Sequence, residues 1–322
     1  MAREVAVYQS RAFAPRTQQS YRSHRKSYVN FCASLGYSAV PASSHLICCY
    51  VAFLARKLKF KSIQQYLNIV RIMHREWDLP NPLVNNFSVT QTLRGVRRTL
   101  GDATVAKLPI TPEILITIER SLDRNKPFDA GIWAICLVLF YGLLRKGSIM
   151  PLRRGLELNQ SARVLLRSDV TFSPAGACLN VRHTKTIQYA ERSLKIPLPP
   201  LHGSPLCPVR AILRAFALTP GVPPTSPAFS SQCGASVVPI TCAQFDARLR
   251  ICLEQANLPA HRFSGHSFRR GGATWAYQVG IPAETIRSLG DWRSSCYLRY
   301  VSVNTGTLRG AVSKMQHAIV NH

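Results

Sequence analysis

The sequence predicts a mainly α-helical protein with a small antiparallel β-sheet, built from a helical domain and an α+β domain. The chain has 322 residues, enough for two domains that each bury a core. Helical periodicity fills the first third, whereas short β-prone runs separated by turn residues occur only in the second half. The segment 101–111 contains glycine and proline but no hydrophobic period. It therefore predicts a linker between a domain at 10–100 and a second domain at 112–322.

The first domain is predicted to contain four helices. The first, in "TQQSYRSHRKSYVNFCASLG", has Thr17 as a candidate N-cap. Its apolar face is formed by Tyr21, Tyr28, Phe31, Cys32 and Leu35. "SSHLICCYVAFLARKL" and "SIQQYLNIVRIMHREW" follow, opened by Ser43 or Ser44 and by Ser62, and a shorter helix begins near Ser88.

The second domain is predicted to combine helices with strands. A helix is expected from Pro112, and the apolar run 130–144 predicts a buried helix ending at Arg145, because the run is too short to cross a bilayer. The runs "RVLLRSDVTFSP", "ACLNVRHTKTI" and "ERSLKIPLP" predict antiparallel strands. A further helix in "LCPVRAILRAFAL" precedes a proline-rich loop at 219–227, and residues 241–322 are expected to be mainly helical.

Net charge is the strongest bulk property of the chain. There are 41 Lys and Arg against 15 Asp and Glu, a net charge of +26. Such an excess costs self-repulsion and indicates a polyanionic partner. Nucleic acid is favoured over an anionic membrane because no cationic amphipathic helix with an exposed apolar face stands out. The cations of the helical domain that are predicted to face phosphates are Arg25, Lys26, Lys59, Lys61, Arg71, Arg75, Arg97 and Arg98.

The ten cysteines are scattered and form no Cys-x-x-Cys pair, so no metal site is predicted. Most lie in apolar surroundings, as in "LICCYVAFL" and "WAICLVLF", and are interpreted as small core residues. The first residues also lack the apolar core of a signal peptide. These features favour a reducing, intracellular compartment.

Three parts of the second domain carry side chains suited to phosphate chemistry. In "GHSFRRGGATWAYQVG", His266 and Arg269 are three residues apart, so a helix presents them on one face. An arginine fork can hold non-bridging oxygens while a histidine exchanges a proton near neutral pH. Arg145 follows an apolar run, and Lys185 lies in the turn region of an expected β-hairpin. Each of these signals alone also fits an ordinary helix-end or surface charge.

Five motifs, in this order, resemble the tyrosine recombinase (phage integrase) family. They are "YGLLRKGSI" with Arg145, "HTKT" with Lys185, "HSFRRGGAT" with His266 and Arg269, "LGDW" with Trp292, and the tyrosine region "DWRSSCYLRYV". The helices of the first domain resemble the family's core-binding domain, so the resemblance covers about residues 10–305. "FYGLLRKGS" and "DWRSSCYLRYV" look most like the eukaryotic recombinases of DIRS, Ngaro and Crypton elements.

The resemblance implies a site-specific recombinase or integrase that cuts and rejoins double-stranded DNA through a 3′-phosphotyrosyl bond. Arg145 and Arg269 would hold the non-bridging oxygens. His266 would take the tyrosine proton, Lys185 would protonate the 5′-hydroxyl leaving group, and Trp292 would pack against the site. The resemblance also implies no cofactor, metal or small-molecule substrate, no membrane partner, and a homotetramer on two DNA sites. A mobile element and, in a eukaryote, a nuclear location are expected.

The nucleophile is assigned to Tyr300, with Tyr297 as the alternative. In the family the usual separation from the His/Trp position falls one residue further on, here at Val301. Tyr300 needs a one-residue deletion in the connecting loop and Tyr297 needs a four-residue deletion, and the preceding "YLR" also favours Tyr300. Two other departures are Ser148, where many relatives have an acidic residue, and Trp292, where histidine is commoner.

Two other functions remain open. A non-catalytic DNA-binding protein descended from such a recombinase would not need both arginines, the histidine, the lysine and the tyrosine together. A type IB topoisomerase uses the same chemistry as a monomer, and relaxation of plasmid without a specific site would favour it. The separate helical domain that resembles a core-binding domain argues against the topoisomerase.

Overall fold

The computed structural model describes residues 1–102, 107–152, 163–189, 191–233 and 236–294, with isolated positions at 298, 309, 312, 313 and 316. The chain divides into two compact units, Met1–Val105 and Ala106–His322. Among the described residues, no helix is both long and apolar enough to cross a membrane.

The first unit is a helical bundle. Its helices are α1 (Ala2–Arg11), α2 (Pro15–Ser34), α3 (Ser44–Ala55), α4 (Phe60–Glu76) and α5 (Phe87–Leu100). The rings of Tyr28 and Tyr50 lie 5.0 Å apart, and both are fully buried together with Ile47 and Ile63. Burial of each such side chain stabilises the unit by about 1.5–3 kcal/mol. The unit therefore has a hydrophobic core of its own.

Three helix starts differ from the sequence prediction. α2 begins at Pro15 rather than after Thr17, because proline in the first helical turn has a suitable φ and no N–H that needs a partner. α4 begins at the buried Phe60 rather than at Ser62, and the sequence does not predict α1. Ser43 caps α3, as predicted.

In the described part of the second unit, shorter helices surround a helix that is buried along most of its length. Its helices are α6 (Pro112–Arg120), α7 (Pro127–Tyr141), α8 (Pro208–Ala217), α9 (Cys242–Gln255), α10 (Gly265–Gln278) and α11 (Ala283–Leu289). From Asp129 to Phe140 every residue of α7 is buried. A helix that is apolar all round must lie inside the domain, and α7 packs against α8, α10 and the first strand of a β-hairpin.

Two antiparallel sheets complete the second unit. The first contains β1 (Val170–Ser173), β2 (Gly176–Val181) and β3 (Leu194–Leu198), with β2 in the middle. Leu179 of β2 pairs with Val170 and Ile196, and all three are buried. The second sheet pairs β4 (Ser230–Cys233) with β5 (Ser236–Pro239), a hairpin that the sequence does not predict. The predicted fold class, mainly α with small antiparallel sheets, is confirmed.

The buried helix ends earlier than predicted. α7 stops at Tyr141 instead of Arg145, because Gly142 closes the helix and Leu143 has a left-handed φ of 48°. Arg145 is extended and precedes a 3-10 turn, Lys146–Ser148. The reversal of the chain at Leu143 takes Arg145 off the helix axis, so its half-buried side chain belongs to a turn.

The last residues of the predicted linker pack into the second unit. The N–H of Leu108 donates to the carbonyl of Arg262 at 2.8 Å, and the N–H of Ile110 donates to the carbonyl of Ser267 at 3.0 Å. Ile110 is fully buried. A Cβ on Gly271 would lie 1.8 Å from the Ile110 carbonyl oxygen, so only glycine permits this close approach.

Candidate active site

The start of α10 places His266 and Arg269 one helical turn apart. Ser264 caps the helix: its hydroxyl accepts from the N–H of His266 at 3.3 Å, and its own N–H donates to the hydroxyl of Ser267 at 3.0 Å. His266 is exposed in the first turn, whereas Arg269 is buried. The helix therefore leaves the imidazole partly accessible to solvent and directs the guanidinium into the protein.

The Arg269 side chain is only 2% exposed. One terminal nitrogen donates to the carbonyl of Leu143, and the other donates to the carbonyl of Gly290 at 2.7 Å. Its guanidinium lies 3.9 Å from the ring centroid of Trp292, a buried tryptophan, in a cation–π contact. Arg269 thus joins the turn that precedes Arg145 to the turn that carries Trp292.

Trp292 needs a small neighbour at position 290. A Cβ on Gly290 would lie 1.8 Å from the indole ring, so glycine leaves the space that the ring fills. Trp292 packs with Leu143 and Ile286 in a small buried cluster. The indole therefore supports both Arg269 and the turn at Leu143.

Four cations lie close enough to His266 to act on its charge. The pKa of His266 lies below its ordinary value, first because the ring is partly desolvated and then because Arg269, Arg145, Lys185 and Lys146 repel an added proton. Like charges act in this way only when they are close. The structure therefore brings together the four predicted residues Arg145, Lys185, His266 and Arg269, which are up to 124 positions apart in the chain.

Lys146 is a site cation that the sequence prediction does not include. Its ammonium forms an ion pair with Asp246 of α9, and its stem lies against Gly265, where a Cβ would approach to 2.6 Å. The signal was present in the motif "YGLLRKGSI", where Lys146 follows Arg145 directly. The partner Asp246 could not be predicted from a local motif, because it is 100 positions from Lys146 in the chain.

Ser148 is built into the turn after Arg145. It is buried, its N–H donates to the carbonyl of Arg145 at 2.9 Å, and its carbonyl accepts from the N–H of Leu165 at 3.1 Å. Main-chain bonds of residue 148 therefore hold the backbone around Arg145, and they do not depend on the serine side chain.

Lys185 lies in the connection between β2 and β3, and its side chain is exposed. The hydroxyls of Thr184 and Thr186 on either side lie 2.8 Å apart. The N–H of Ile187 donates to the Thr184 hydroxyl at 3.1 Å, and the Ile187 side chain is fully buried. The backbone around the lysine is therefore folded into a tight, anchored turn.

Asp291 anchors this connection and is also absent from the sequence prediction. Its carboxylate accepts from the Thr184 hydroxyl at 3.3 Å, from the Thr186 hydroxyl and from Arg192. Burial opposes ionisation of Asp291, but the hydrogen bond from Thr186 and the ion pair with Arg192 outweigh it, so the pKa of Asp291 is lowered. The residue next to Trp292 is thus tied to the segment that carries Lys185.

Tyr297, Tyr300 and Val301 lie outside the described residues. The described chain reaches Ser294, two positions after Trp292. Tyr300 therefore stays a prediction from spacing.

The predicted DNA-facing cations of the first unit fall into two groups. Arg25 donates two hydrogen bonds to Glu76 at 2.6 and 2.7 Å, and Arg97 pairs with Asp102 at 2.7 Å and lies over the ring of Phe60. Exposed members are Lys26, Lys59, Lys61, Arg75 and Arg98, and Arg71 is half-buried. The guanidinium groups of Arg25 and Arg97 therefore donate to nearby carboxylates.

α2 and α4 form one surface. The amide of Asn68 in α4 donates to the Tyr21 hydroxyl of α2 at 3.3 Å, and the rings of His24 and Tyr66 stack at 4.0 Å. The cations Lys61, Arg71 and Arg75 of α4 recur at spacings that share the solvent-facing side of a helix. α2 and α4 therefore share a surface that carries these cations.

Comparisons with known proteins point in one direction. No protein-family model matches the chain. The chain is 25% identical over 287 residues to an integrase/recombinase XerD homolog of Selenomonas ruminantium, covering 85% of this chain and 77% of that protein.

Two solved structures have a similar fold. The Tn1549 transposon integrase in complex with transposon right end DNA matches with a TM-score of 0.66 at 12% identity, over 97% of this chain and 98% of that one. A lambda integrase dimer bound to a COC′ core site matches with a TM-score of 0.62 at 14% identity, over 94% and 93%. The chain therefore has the fold of these two integrases.

Proposed function

We propose that the chain is a site-specific DNA recombinase of the tyrosine recombinase family, which cuts and rejoins double-stranded DNA through a 3′-phosphotyrosyl intermediate. The observation that carries the proposal is the convergence of Arg145, Lys185 and Arg269 on His266. Such a group of cations, with one histidine kept neutral, suits a phosphodiester that must be bound and attacked. Residues 10–100 would form the core-binding domain and residues 112–322 the catalytic domain, with 101–111 as the linker.

The reaction needs one bond formed, one bond broken and two proton transfers. The Tyr300 oxygen attacks the phosphorus and forms a P–O bond, and its proton goes to His266. The bond from phosphorus to the 5′-oxygen breaks, and Lys185 gives that oxygen a proton, which yields a free 5′-hydroxyl. Arg145 stabilises the charge on the non-bridging oxygens. For Arg269 to do the same, a terminal nitrogen must exchange its bond to the Leu143 or Gly290 carbonyl for one to the phosphate. Reversal of these steps on a partner strand rejoins the DNA without an external energy source.

The rate of DNA cleavage is expected to fall at acidic pH, where His266 of the free protein becomes protonated. The pKa of His266 is lowered, so the neutral imidazole that accepts the tyrosine proton predominates at pH 7. The rate of adduct formation at subsaturating DNA should rise with pH through a midpoint below 6.5, the ordinary value, and then level off. His266→Gln should remove this rise, whereas replacement of the exposed His261 by glutamine should keep it. A rise with its midpoint above pH 7 would contradict the role of His266.

The cationic surface of α2 and α4 is expected to bind the DNA backbone. Arg75→Gln should weaken binding evenly across sequences and lower the salt dependence, the slope of log K against log salt, by about 1. Titrations at several salt concentrations measure this slope. The matched control is the double variant Arg124→Gln/Glu119→Gln, which removes an ion pair outside the predicted DNA-facing set without a change of net charge and should leave the slope unaltered. Equal slopes for Arg75→Gln and wild type would exclude Arg75 from the DNA contact.

A mobile element is the biological setting that the relatives favour. One similar structure is an integrase of the Tn1549 transposon with transposon DNA, and another is a lambda integrase dimer on a core site. The motifs resembling DIRS, Ngaro and Crypton recombinases favour a eukaryotic element and a nuclear location. The working assembly would be a homotetramer on two DNA sites, in which each subunit cleaves one strand.

The proposal is tested by trapping the intermediate. The substrate is labelled DNA that carries the recognition site with a nick near the cleavage point. Cleavage should release a short fragment with a 5′-hydroxyl. The labelled strand that ends in the 3′-phosphate should stay on the protein as a denaturation-resistant adduct. Binding without any adduct would favour a non-catalytic DNA-binding protein. Adducts and plasmid relaxation on DNA of any sequence would favour a topoisomerase.

A further inference from the structure

A single carboxylate, Asp291, holds both sides of the segment that carries Lys185. One of its oxygens accepts hydrogen bonds from the hydroxyls of Thr184, at 3.3 Å, and Thr186. The other oxygen accepts from the guanidinium of Arg192, further along the same connection. Thr184 and Thr186 are the immediate neighbours of Lys185. The carboxylate therefore fixes the backbone on each side of the lysine.

The position of Asp291 is costly in two ways. Its side chain is only 9% exposed, and an ionised carboxylate there requires several donors to offset its desolvation. Its backbone has φ of 52°, a left-handed conformation that aspartate tolerates better than most residues but that still costs free energy. Thr184, Thr186 and Arg192 supply the required donors. The chain thus maintains a strained, buried anion where an apolar residue would need no partners.

A second contact holds the same two segments together. Arg293 donates to the carbonyl of Thr186 at 2.8 Å and lies 3.4 Å from the carboxylate of Glu191. Residues 291 and 293 therefore hold Thr186 through its side chain and its main chain. Between them is Trp292, whose ring supports Arg269. The segment carrying Lys185 and the arginine of α10 are linked through three consecutive residues.

We propose that Asp291 is a positioning residue of strand cleavage, which holds Lys185 where it can protonate the leaving 5′-oxygen. The inference rests on the proposed function. Lys185 has an exposed, flexible side chain, and a general acid acts only within hydrogen-bond reach of its target. Fixing the backbone at residues 184 and 186 confines the origin of that side chain. Asp291 acts through the two threonines and does not itself contact DNA.

DNA with sulfur in place of the bridging 5′-oxygen tests this role. A thiolate leaves without a proton, so cleavage of such DNA does not need Lys185 as an acid. Asp291→Asn should slow adduct formation on ordinary DNA by about 10²-fold, the usual scale for a lost general acid. On the sulfur-containing DNA the same variant should cleave within about threefold of wild type, as should Lys185→Ala. A loss of equal size on both substrates would overturn the proposal, because it would indicate a general structural defect.

Two further variants make the result specific. Glu284→Gln makes the same change of charge at an exposed carboxylate of α11, whose ion-pair partner is Arg287, and it should cleave both substrates like wild type. Thr186→Val keeps the carboxylate but removes one of its donors. It should reproduce the selective loss on ordinary DNA in weaker form. A loss relative to wild type of the same size on both substrates would count against Asp291. If wild type forms no adduct on either substrate, the proposed function itself fails; selective failure of the Asp291 pattern leaves that function standing.

Discussion

Replacement of Tyr300 by phenylalanine is expected to abolish the covalent DNA adduct while DNA binding stays unchanged. The variant lacks only the hydroxyl that attacks phosphorus, so the loss of cleavage should be about 10³-fold or more. The variant keeps the arginines, His266 and Lys185, which are the other residues proposed to act on the phosphate. Gel electrophoresis under denaturing conditions measures the adduct, and a titration of the same DNA measures binding.

Tyr297→Phe is the matched control. Tyr297→Phe loses the same hydroxyl three positions earlier, but the adduct should still form. Tyr297 needs a four-residue deletion to fit the family spacing from Trp292, whereas Tyr300 needs a one-residue deletion. An adduct that disappears with Tyr297→Phe and persists with Tyr300→Phe would reassign the nucleophile. Loss of the adduct in both variants would show that the two tyrosines depend on each other.

Arg269→Lys should have the second largest effect. A lysine cannot reach both the Leu143 and Gly290 carbonyls with a planar fork, nor lie flat on Trp292 as a guanidinium does. Removal of transition-state charge stabilisation costs about 10²–10³ in rate. A lowered melting temperature should accompany this loss, because Arg269 also joins two turns of the folded protein. Single-turnover cleavage and thermal unfolding measure the two effects separately.

Arg270→Lys is the control for this prediction. Arg270 follows Arg269 in α10, but it donates to the carbonyl of Lys107 at 3.2 Å and is absent from the charges that act on His266. Its replacement keeps the charge and should change cleavage by less than about threefold. Near wild-type cleavage by Arg269→Lys would contradict the role of the buried guanidinium.

Local patterns in the sequence predicted the architecture well. The short β-prone runs became β1, β2 and β3, and the apolar run became the buried helix α7. The end of α7 was predicted four residues too late because hydrophobicity continues through Leu143 and Leu144, where the backbone already turns. Buried side chains continue past the last residue of α7, so a hydrophobic pattern cannot locate the end of this helix.

The candidate site was predictable only in part. Arg145, Lys185, His266 and Arg269 follow from motifs, and the charges of the other three all lower the pKa of His266. The partners of Arg269 are backbone carbonyls, which have no residue-type signal. Asp291 forms its bonds more than one hundred positions away at Thr184 and Thr186. Such contacts arise from tertiary structure and leave no local periodicity.

The most direct measurement is the identification of the residue that carries DNA after cleavage. The trapped adduct would be digested with protease and nuclease, and the peptide that retains a nucleotide remnant would be sequenced by mass spectrometry. The expected result is a 3′-phosphate remnant on Tyr300. A remnant on any other residue, or wild-type protein that binds a cleavable site and yields no modified peptide, would contradict the proposed nucleophile and, in the second case, the recombinase function.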